Sequence, residues 1–316
     1  MKRLSFFPLL LAGFIAFAAA GCQNATGPVQ DDSLLATIDA AEVIAGAIGS
    51  DNGGLHDQLT DIVELSLDGV LGLVAVPDEP NLMDNRPGPM LSRGGVVRRR
   101  EYDPNTQTWT ITVQRTMNSP VVQGSWMRQY RLRFSRNGVG QQFFRTNNQY
   151  ADLVTFEIVP DSCSGSFKSP RISHRLTRLE GAVRGTISVA DTANPIMTIN
   201  STAPYRRAAI DSLKIGEALR VSNHTVTATL RDVVVPLSRA RRFQNIYARA
   251  TSGTISGTYT ANITFVRGEQ YEESQVNREF TIDLSQERNG RLPLSLRGRR
   301  GEFRGFFEWV PGLFMR

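Results

Sequence analysis

Histidine is scarce in this sequence, and the motifs that commonly reveal an enzyme are missing. The 316 residues include three histidines, His56, His174 and His224, which lie far apart along the chain. None has a second histidine at metal-ligand spacing, and there is no His-Glu-x-x-His, P-loop, Gly-x-Ser-x-Gly or dinucleotide-binding fingerprint. We therefore expect no metal and no cofactor, and surface or structurally satisfied histidines rather than ligands.

Long hydrophobic runs are also absent, except at the start of the chain. Lys2 and Arg3 precede an apolar stretch over 4–20, which ends in small residues followed by Cys22. This layout is typical of a secretory signal rather than a spanning helix, because the apolar core is short and Pro8 interrupts it. We predict that residues 1–21 are a signal peptide.

The end of this run, Ala19-Ala20-Gly21-Cys22, resembles the lipobox of bacterial lipoproteins. The resemblance implies cleavage between Gly21 and Cys22, followed by acylation of Cys22. It covers only the first 22 residues and departs from the family at Ala19, where leucine is more frequent. Gln23 after the cysteine implies the outer membrane. Several acyl chains would anchor the protein lastingly, facing either the periplasm or the cell exterior. An ordinary signal peptide with a chance cysteine is the alternative.

Cysteine is even rarer than histidine, since the sequence contains only Cys22 and Cys163. If Cys22 carries the lipid, Cys163 has no partner, and a disulfide framework or a cysteine-based zinc site is excluded. We expect burial to protect Cys163, with a reactive thiol as the alternative.

Three composition changes divide the rest of the N-terminal part. Residues 22–32 are polar and read as the lipidated tether. Residues 33–74 carry two helical patterns, and Asp31, Asp32 or Ser33 could cap the start of the first. Residues 75–95 are rich in proline and glycine and predict a loop.

The second helical pattern has an acidic stripe beside its apolar face. We expect this stripe to face solvent, as charged faces of amphipathic helices do. Its members are Asp57, Asp61, Glu64 and Asp68.

From residue 96 to 316 apolar and polar residues alternate with period two, which predicts antiparallel strands with one apolar face and one solvent-exposed face. The fold class is therefore mainly β, with a large curved antiparallel sheet or barrel-like body and two short N-terminal helices. A membrane-spanning barrel is the alternative use of such strands. Four glycines within strand patterns should mark bulges, bends or close approaches. They are Gly181, Gly185, Gly253 and Gly257.

Basic residues exceed acidic ones, 36 to 30, which gives a formal net charge of +6. Arginine clusters are candidate contacts for anionic lipid headgroups, lipopolysaccharide or acidic glycans. The alternative is that they decorate wet strand faces and protect sheet edges. The envelope location argues against nucleic acid as the partner. The candidates are Arg98, Arg99, Arg100, Arg297, Arg299 and Arg300.

Together these features predict a lipid-anchored cell-envelope lipoprotein. We expect a non-catalytic binding or structural module for an apolar or anionic envelope ligand. An envelope hydrolase of glycans or esters, with a site assembled from scattered residues, is the alternative. It would need close carboxylates in a cleft, or a serine beside one of the histidines.

Overall fold

The structure is a computed structural model, and it describes residues 29–49, 54–67, 90–91, 95–118, 123–146, 149–190, 195–237, 250–308 and 313–315. The proposed signal peptide, Gly21 and Cys22 lie outside the described residues. The described chain is mainly β, with one large, almost entirely antiparallel sheet and two helices. The predicted fold class is confirmed.

The two helices match the two helical patterns. Of the three candidate caps, Ser33 is the one that starts helix α1 (Leu34–Ile48), because its Oγ accepts a hydrogen bond from Ala36 N at 3.1 Å. Helix α2 (Leu55–Leu67) buries its apolar face. The prediction that the acidic stripe faces solvent is wrong for Asp57 and Asp61, which are fully buried on α2, while the Glu64 side chain and Asp68 lie outside the described residues. Strand residues supply the partners that make this burial tolerable.

The described strands fall into one sixteen-stranded sheet and a separate pair, β7 and β8. Their bounds are β1 (Val29–Gln30), β2 (Met90–Leu91), β3 (Gly95–Asp103), β4 (Thr108–Asn118), β5 (Gln123–Arg136), β6 (Val139–Gln141), β7 (Arg145–Thr146), β8 (Gln149–Tyr150), β9 (Leu153–Ile158), β10 (Ser164–Lys168), β11 (Ile172–Ser188), β12 (Ile196–Ile215), β13 (Ala218–Pro236), β14 (Ser252–Arg267), β15 (Gln270–Asp283), β16 (Arg291–Gly298), β17 (Gly301–Glu308) and β18 (Leu313–Met315).

The main path of the sheet runs β18-β17-β16-β15-β14-β13-β12-β11-β10-β5-β4-β3-β2. Neighbours along this path pair antiparallel, mostly through short turns, as expected for an alternating sequence. Strand β1 departs from the pattern because it pairs in parallel with β15. The segment 22–32 therefore contains a strand, and 75–95 contains β2 at Met90–Leu91, within the stretch predicted as a loop.

Both helices pack on the apolar face of the sheet. Tyr130 Oη on β5 donates to Asp61 Oδ2 at 3.0 Å, and Tyr205 Oη on β12 donates to the Ala47 carbonyl at 3.3 Å. Helix α1 also contacts β15 to β18. The gap between α2 and the sheet beside Leu59 amounts to about 20 Å³. At this position the helix fills the sheet's inner face and leaves no room for a large apolar ligand.

The strand glycines sit where the backbone demands them. Gly253 has a φ of +121° beside a register shift between β13 and β14. A Cβ added to Gly257 would lie 1.8 Å from the Thr227 carbonyl oxygen, which is a severe clash. These two positions confirm the predicted bulges and close approaches.

Cys163 is partly buried after β9, and its Sγ donates to the Val159 carbonyl at 3.3 Å. Burial raises the pKa of the thiol, which disfavours the reactive thiolate. Neither helix in the described part of the chain is long and apolar enough to cross a membrane.

Candidate functional site

A cleft of about 280 Å³ lies between helix α1 and strands β10 to β13. Apolar side chains line part of it, among them Val43, Phe167, Ile172 and Leu213. The remaining wall is unusually rich in groups that can ionise or form hydrogen bonds. These polar residues are Glu42, His174, Arg207, Asp211, Ser212, Arg220, Ser222 and His224.

Strand register brings these polar residues together. His174 on β11 lies opposite Asp211 on β12, and Asp211 lies opposite Ser222 on β13. His224 follows two positions after Ser222 and therefore points to the same side of the sheet. A site is thus assembled from three adjacent strands whose residues are up to 50 positions apart in sequence.

Asp211 faces both histidines of the cleft. Its Oδ1 lies 2.5 Å from His174 Nδ1, and its Oδ2 lies 3.6 Å from His224 Nδ1. The first contact is a short hydrogen bond, and the second is too long for one but well within electrostatic reach. Both imidazoles are buried, so the carboxylate fixes their orientation in the wall of the cleft.

Arg207 completes the cluster from β12, two inward-facing positions before Asp211. Its Nη2 donates to His174 Nε2 at 3.2 Å, so His174 accepts through Nε2 and donates through Nδ1 to Asp211. The Arg207 side chain is only 5 % exposed. Among the described residues, the imidazole is its one hydrogen-bonding side-chain partner, and Asp211 attracts it from beyond contact distance.

The electrostatics follow from burial and from this shared carboxylate. Burial alone would raise the pKa of Asp211, but the hydrogen bond from His174 and the charges around it lower that pKa below its ordinary value. Burial lowers the pKa of His224 to about 4, with Asp211 opposing the shift. Near neutral pH, Asp211 is therefore ionised and His224 is uncharged.

Helix α1 contributes two further carboxyl groups, those of Asp39 and Glu42. Asp39 forms an ion pair with Arg220, which lines the cleft from β13. Burial raises the pKa of both Asp39 and Glu42, and the proximity of Asp39 adds to the rise at Glu42. Asp39 and Glu42 therefore release their protons at a higher pH than exposed carboxyl groups do.

This geometry suits binding better than nucleophilic catalysis. A catalytic histidine needs its second nitrogen at a nucleophile's hydroxyl, whereas His174 Nε2 faces the Arg207 guanidinium. Within the described ranges, no three His, Cys, Asp or Glu side chains are arranged to hold a metal ion. What the cluster offers is a buried guanidinium held in place by a histidine and an aspartate.

Of the two expectations for the histidines, surface exposure is wrong, because all three are buried. His174 and His224 share Asp211 as a partner, although 50 residues separate them in sequence. His56 lies apart, on α2, with its Nδ1 3.4 Å from Asp57 Oδ1. Arg128 on β5 faces that helix, and its charge attracts Asp57. This second polar layer joins α2 to the sheet.

The arginine candidates fall into two groups that lie far apart in the strand order of the sheet. Arg98, Arg99 and Arg100 lie on β3, near one end of the strand order, where Arg99 is exposed. The other group lies near the opposite end, with Arg297 on β16 and Arg299 and Arg300 in the turn to β17. All three members of that second group are exposed.

A larger depression of about 580 Å³ lies on the opposite face of the sheet. Half-buried and exposed threonine side chains line it, together with Glu180 and Arg206, which lie 3.7 Å apart as an ion pair. Its polar groups contact solvent, as the alternating pattern predicts, whereas four polar residues of the helix–sheet cleft are buried, namely His174, Arg207, Ser222 and His224. The cleft is therefore the stronger candidate for recognition.

Part of the cluster was detectable in the sequence. His224 alternates in phase with Val226 and Leu230, and Arg207 alternates in phase with Tyr205, so both belong to apolar faces. A polar residue in phase with core residues signals a buried polar group.

No family model matches the chain, and the searches of curated proteins and of solved structures found no match either.

Proposed function

We propose that this protein is a lipid-anchored module of the bacterial cell envelope, attached to the outer membrane through Cys22. It binds a small anionic ligand in the cleft between α1 and strands β10 to β13. It is a binding protein and not an enzyme. The lipobox resemblance supports the attachment, and the cleft supports the binding.

One observation carries the choice of an anion. Arg207 is buried in the cleft wall with the imidazole of His174 as its hydrogen-bonding partner, and within the described part of the chain it forms no ion pair with a carboxylate. A buried guanidinium is most stable against an anionic oxygen, which it can contact through two parallel N–H donors. A carboxylate or phosphate group at Arg207 satisfies it, while Phe167, Ile172 and Leu213 offer apolar contacts to the rest of the ligand.

Neighbouring residues provide a matched test. Arg206 and Arg207 are adjacent on β12 but point to opposite faces, with Arg206 exposed beside Glu180. The lipidated protein is extracted from its own membrane in mild detergent and examined by native mass spectrometry. We expect an anionic adduct in the wild type and in Arg206→Gln, and its loss in Arg207→Gln. An adduct that persists in Arg207→Gln, or a wild type without one, contradicts the proposal.

An ester hydrolase is the second candidate, favoured by the Asp211–His174 pair and by Ser222 in the same cleft. Hydrolysis of p-nitrophenyl butyrate measures it directly. Activity in the wild type that both Ser222→Ala and His174→Gln abolish would replace the binding proposal.

A further inference from the structure

We propose that one end of the sheet rests on the membrane that holds the anchor. We call it the hairpin-tip surface: the turns at 169–171, 216–217 and 268–269, with the exposed apolar side chains Ile172, Leu219 and Tyr271. The proposal deepens the proposed function, because it takes lipidation of Cys22 as given.

The strand pairing places these turns together. The turns that join β10 to β11, β12 to β13 and β14 to β15 lie at the same end, because these strands are paired antiparallel in order. Leu219 and Tyr271 both lie opposite Val266 from its two sides, so they stand in one cross-strand row. Tyr271 is 63 % exposed, Ile172 42 % and Leu219 39 %. Leu219 and Tyr271, two exposed apolar groups in one row, favour a non-aqueous partner, and Ile172 adds an exposed apolar group on the other face of the sheet.

The chain enters the fold from this end. Strand β1 is parallel to β15, with Val29 opposite Ser274, and β15 runs away from its turn at 268–269. The N-terminal end of β1, at Val29, therefore faces the end of β15 that carries Tyr271. Buried Arg278 secures the segment that follows, with hydrogen bonds to Asp32 Oδ1 at 3.3 Å and Thr37 Oγ1 at 3.1 Å.

The length of the chain between Cys22 and Val29, which we call the leader, determines which end of the sheet can lie near the lipid. Seven Cα–Cα steps join Cys22 to Val29, and they span at most about 25 Å. From Ser274 to Gln270 the strand rises about 14 Å toward the hairpin-tip surface, which is within that reach. From Ser274 to Asp283 it extends about 31 Å in the other direction, which is beyond that reach. The lipid is therefore held near the hairpin-tip surface.

Charge contributes little to this docking. Strand β16 runs antiparallel to β15, so its turn with Arg299 and Arg300 points to the same end as the hairpin-tip surface. The register of Arg297 opposite Glu279 leaves that turn about 20 Å short of the tip turns, so these arginines do not add to the contact. The three tip turns themselves are mixed in sign. Their exposed charged residues are Arg171, Glu217 and Glu269, with Lys168, Lys214, Arg267, Glu272 and Glu273 flanking them. Apolar contact and the short leader therefore dominate, and salt should affect the docking only weakly.

This orientation has a consequence for the cleft. Ile172 belongs both to the hairpin-tip surface and to the cleft wall, and Leu213 lies directly opposite it. The anion site therefore sits beside the membrane surface, where an anionic amphiphile could be exchanged with the bilayer.

Environment-sensitive labels test the orientation in the full lipidated chain. Single cysteines are introduced in a Cys163→Ser background by Tyr271→Cys, Leu219→Cys or Val189→Cys. Val189 is the matched control, since it is 43 % exposed and follows β11 at the opposite end of the sheet. The labelled proteins are reconstituted into vesicles of phosphatidylethanolamine and phosphatidylglycerol that carry spin-labelled headgroups.

We expect the headgroup probe to quench labels at 219 and 271 and to spare the label at 189. Equal quenching at all three positions, or none at 219 and 271, overturns the orientation. Labels at 219 and 271 that are shielded from water but not quenched, and that become exposed on dilution, would show a second copy of the chain there and also overturn it. The intact mass and flotation with the vesicles report lipidation separately from orientation. A chain that carries no lipid and does not float overturns the anchor itself. A chain that floats but whose labels at 219 and 271 are not quenched overturns only the orientation.

Discussion

Nη2 of Arg207 lies 3.2 Å from Nε2 of His174, although 33 residues separate them in sequence. The contact occupies the His174 nitrogen that a general base would need free. Asp211 holds the other nitrogen at 2.5 Å. The arrangement therefore orients a buried cation toward a cleft, and this relationship underlies the binding proposal.

The stability of the protein should fall in mild acid because of His224. Burial lowers its pKa from 6.5 to about 4, so the unfolded chain takes up this proton at a higher pH than the folded protein does. The stabilisation is complete above pH 6.5 and is lost as the pH falls toward 4, by about 3 kcal/mol in total. Urea unfolding at pH 7.0, 5.5 and 4.5 measures it.

Asp39 and Glu42 titrate in the opposite sense, because their raised pKa values favour the folded protein as the pH falls. The His224→Gln variant separates the contributions, since it keeps both carboxyls and removes the imidazole. Its stability should vary less steeply between pH 6.5 and 4.5 than that of the wild type. Identical pH dependences would show that His224 does not titrate as its burial requires.

Arg278 should be essential for holding the N-terminal segment on the sheet. It is 2 % exposed and bonds to Asp32, Thr37 and the Asp31 carbonyl. Arg278→Met removes one partner of a largely buried ion pair and should cost about 3 kcal/mol of unfolding free energy. Arg297→Met, on the neighbouring strand and exposed, should change stability by about 0.5 kcal/mol or less. Similar losses in the two variants would contradict this role.

Two glycine substitutions should have opposite effects on stability. Gly257→Ala places a methyl 1.8 Å from the Thr227 carbonyl oxygen and should cost about 1–3 kcal/mol, because backbone must move to accommodate it. Gly46 lies within α1 and has nothing within 4 Å of its would-be Cβ. Gly46→Ala should stabilise by up to about 1 kcal/mol through helix propensity. Thermal unfolding of both variants checks the signs, and destabilisation of similar size in both would refute the packing at Gly257.

Local patterns were sufficient for the elements and for their faces. The alternation in Ile255 to Phe265 specified a strand and its buried side, and Ser33 specified the start of α1. Such signals are local because side-chain direction has a fixed period in each element. The same rule, applied to polar residues, identifies His224, Arg207 and Arg278 as inward-facing, since each alternates in phase with core residues.

The partners of those inward-facing residues could not be predicted. Asp211 meets His174 only because β11 pairs with β12 in one particular register, and a shift of one residue would turn its side chain to the other face. The prediction that the acidic stripe of α2 faces solvent was wrong for a related reason. Its solvent exposure was inferred from charge, but Tyr130 and Arg128 come from a strand about 70 residues later in the chain.

Anion binding at Arg207 is the central claim, and calorimetric titration tests it most directly. Butyl phosphate, with butanol as its neutral counterpart, is titrated into the detergent-solubilised lipidated protein and its variants. We expect saturable binding of butyl phosphate to the wild type and to Arg206→Gln, no binding of butanol, and at least about tenfold weaker binding to Arg207→Gln, or about 1.4 kcal/mol. Equal affinities of the wild type and Arg207→Gln for butyl phosphate, or no binding to the wild type, would contradict the account.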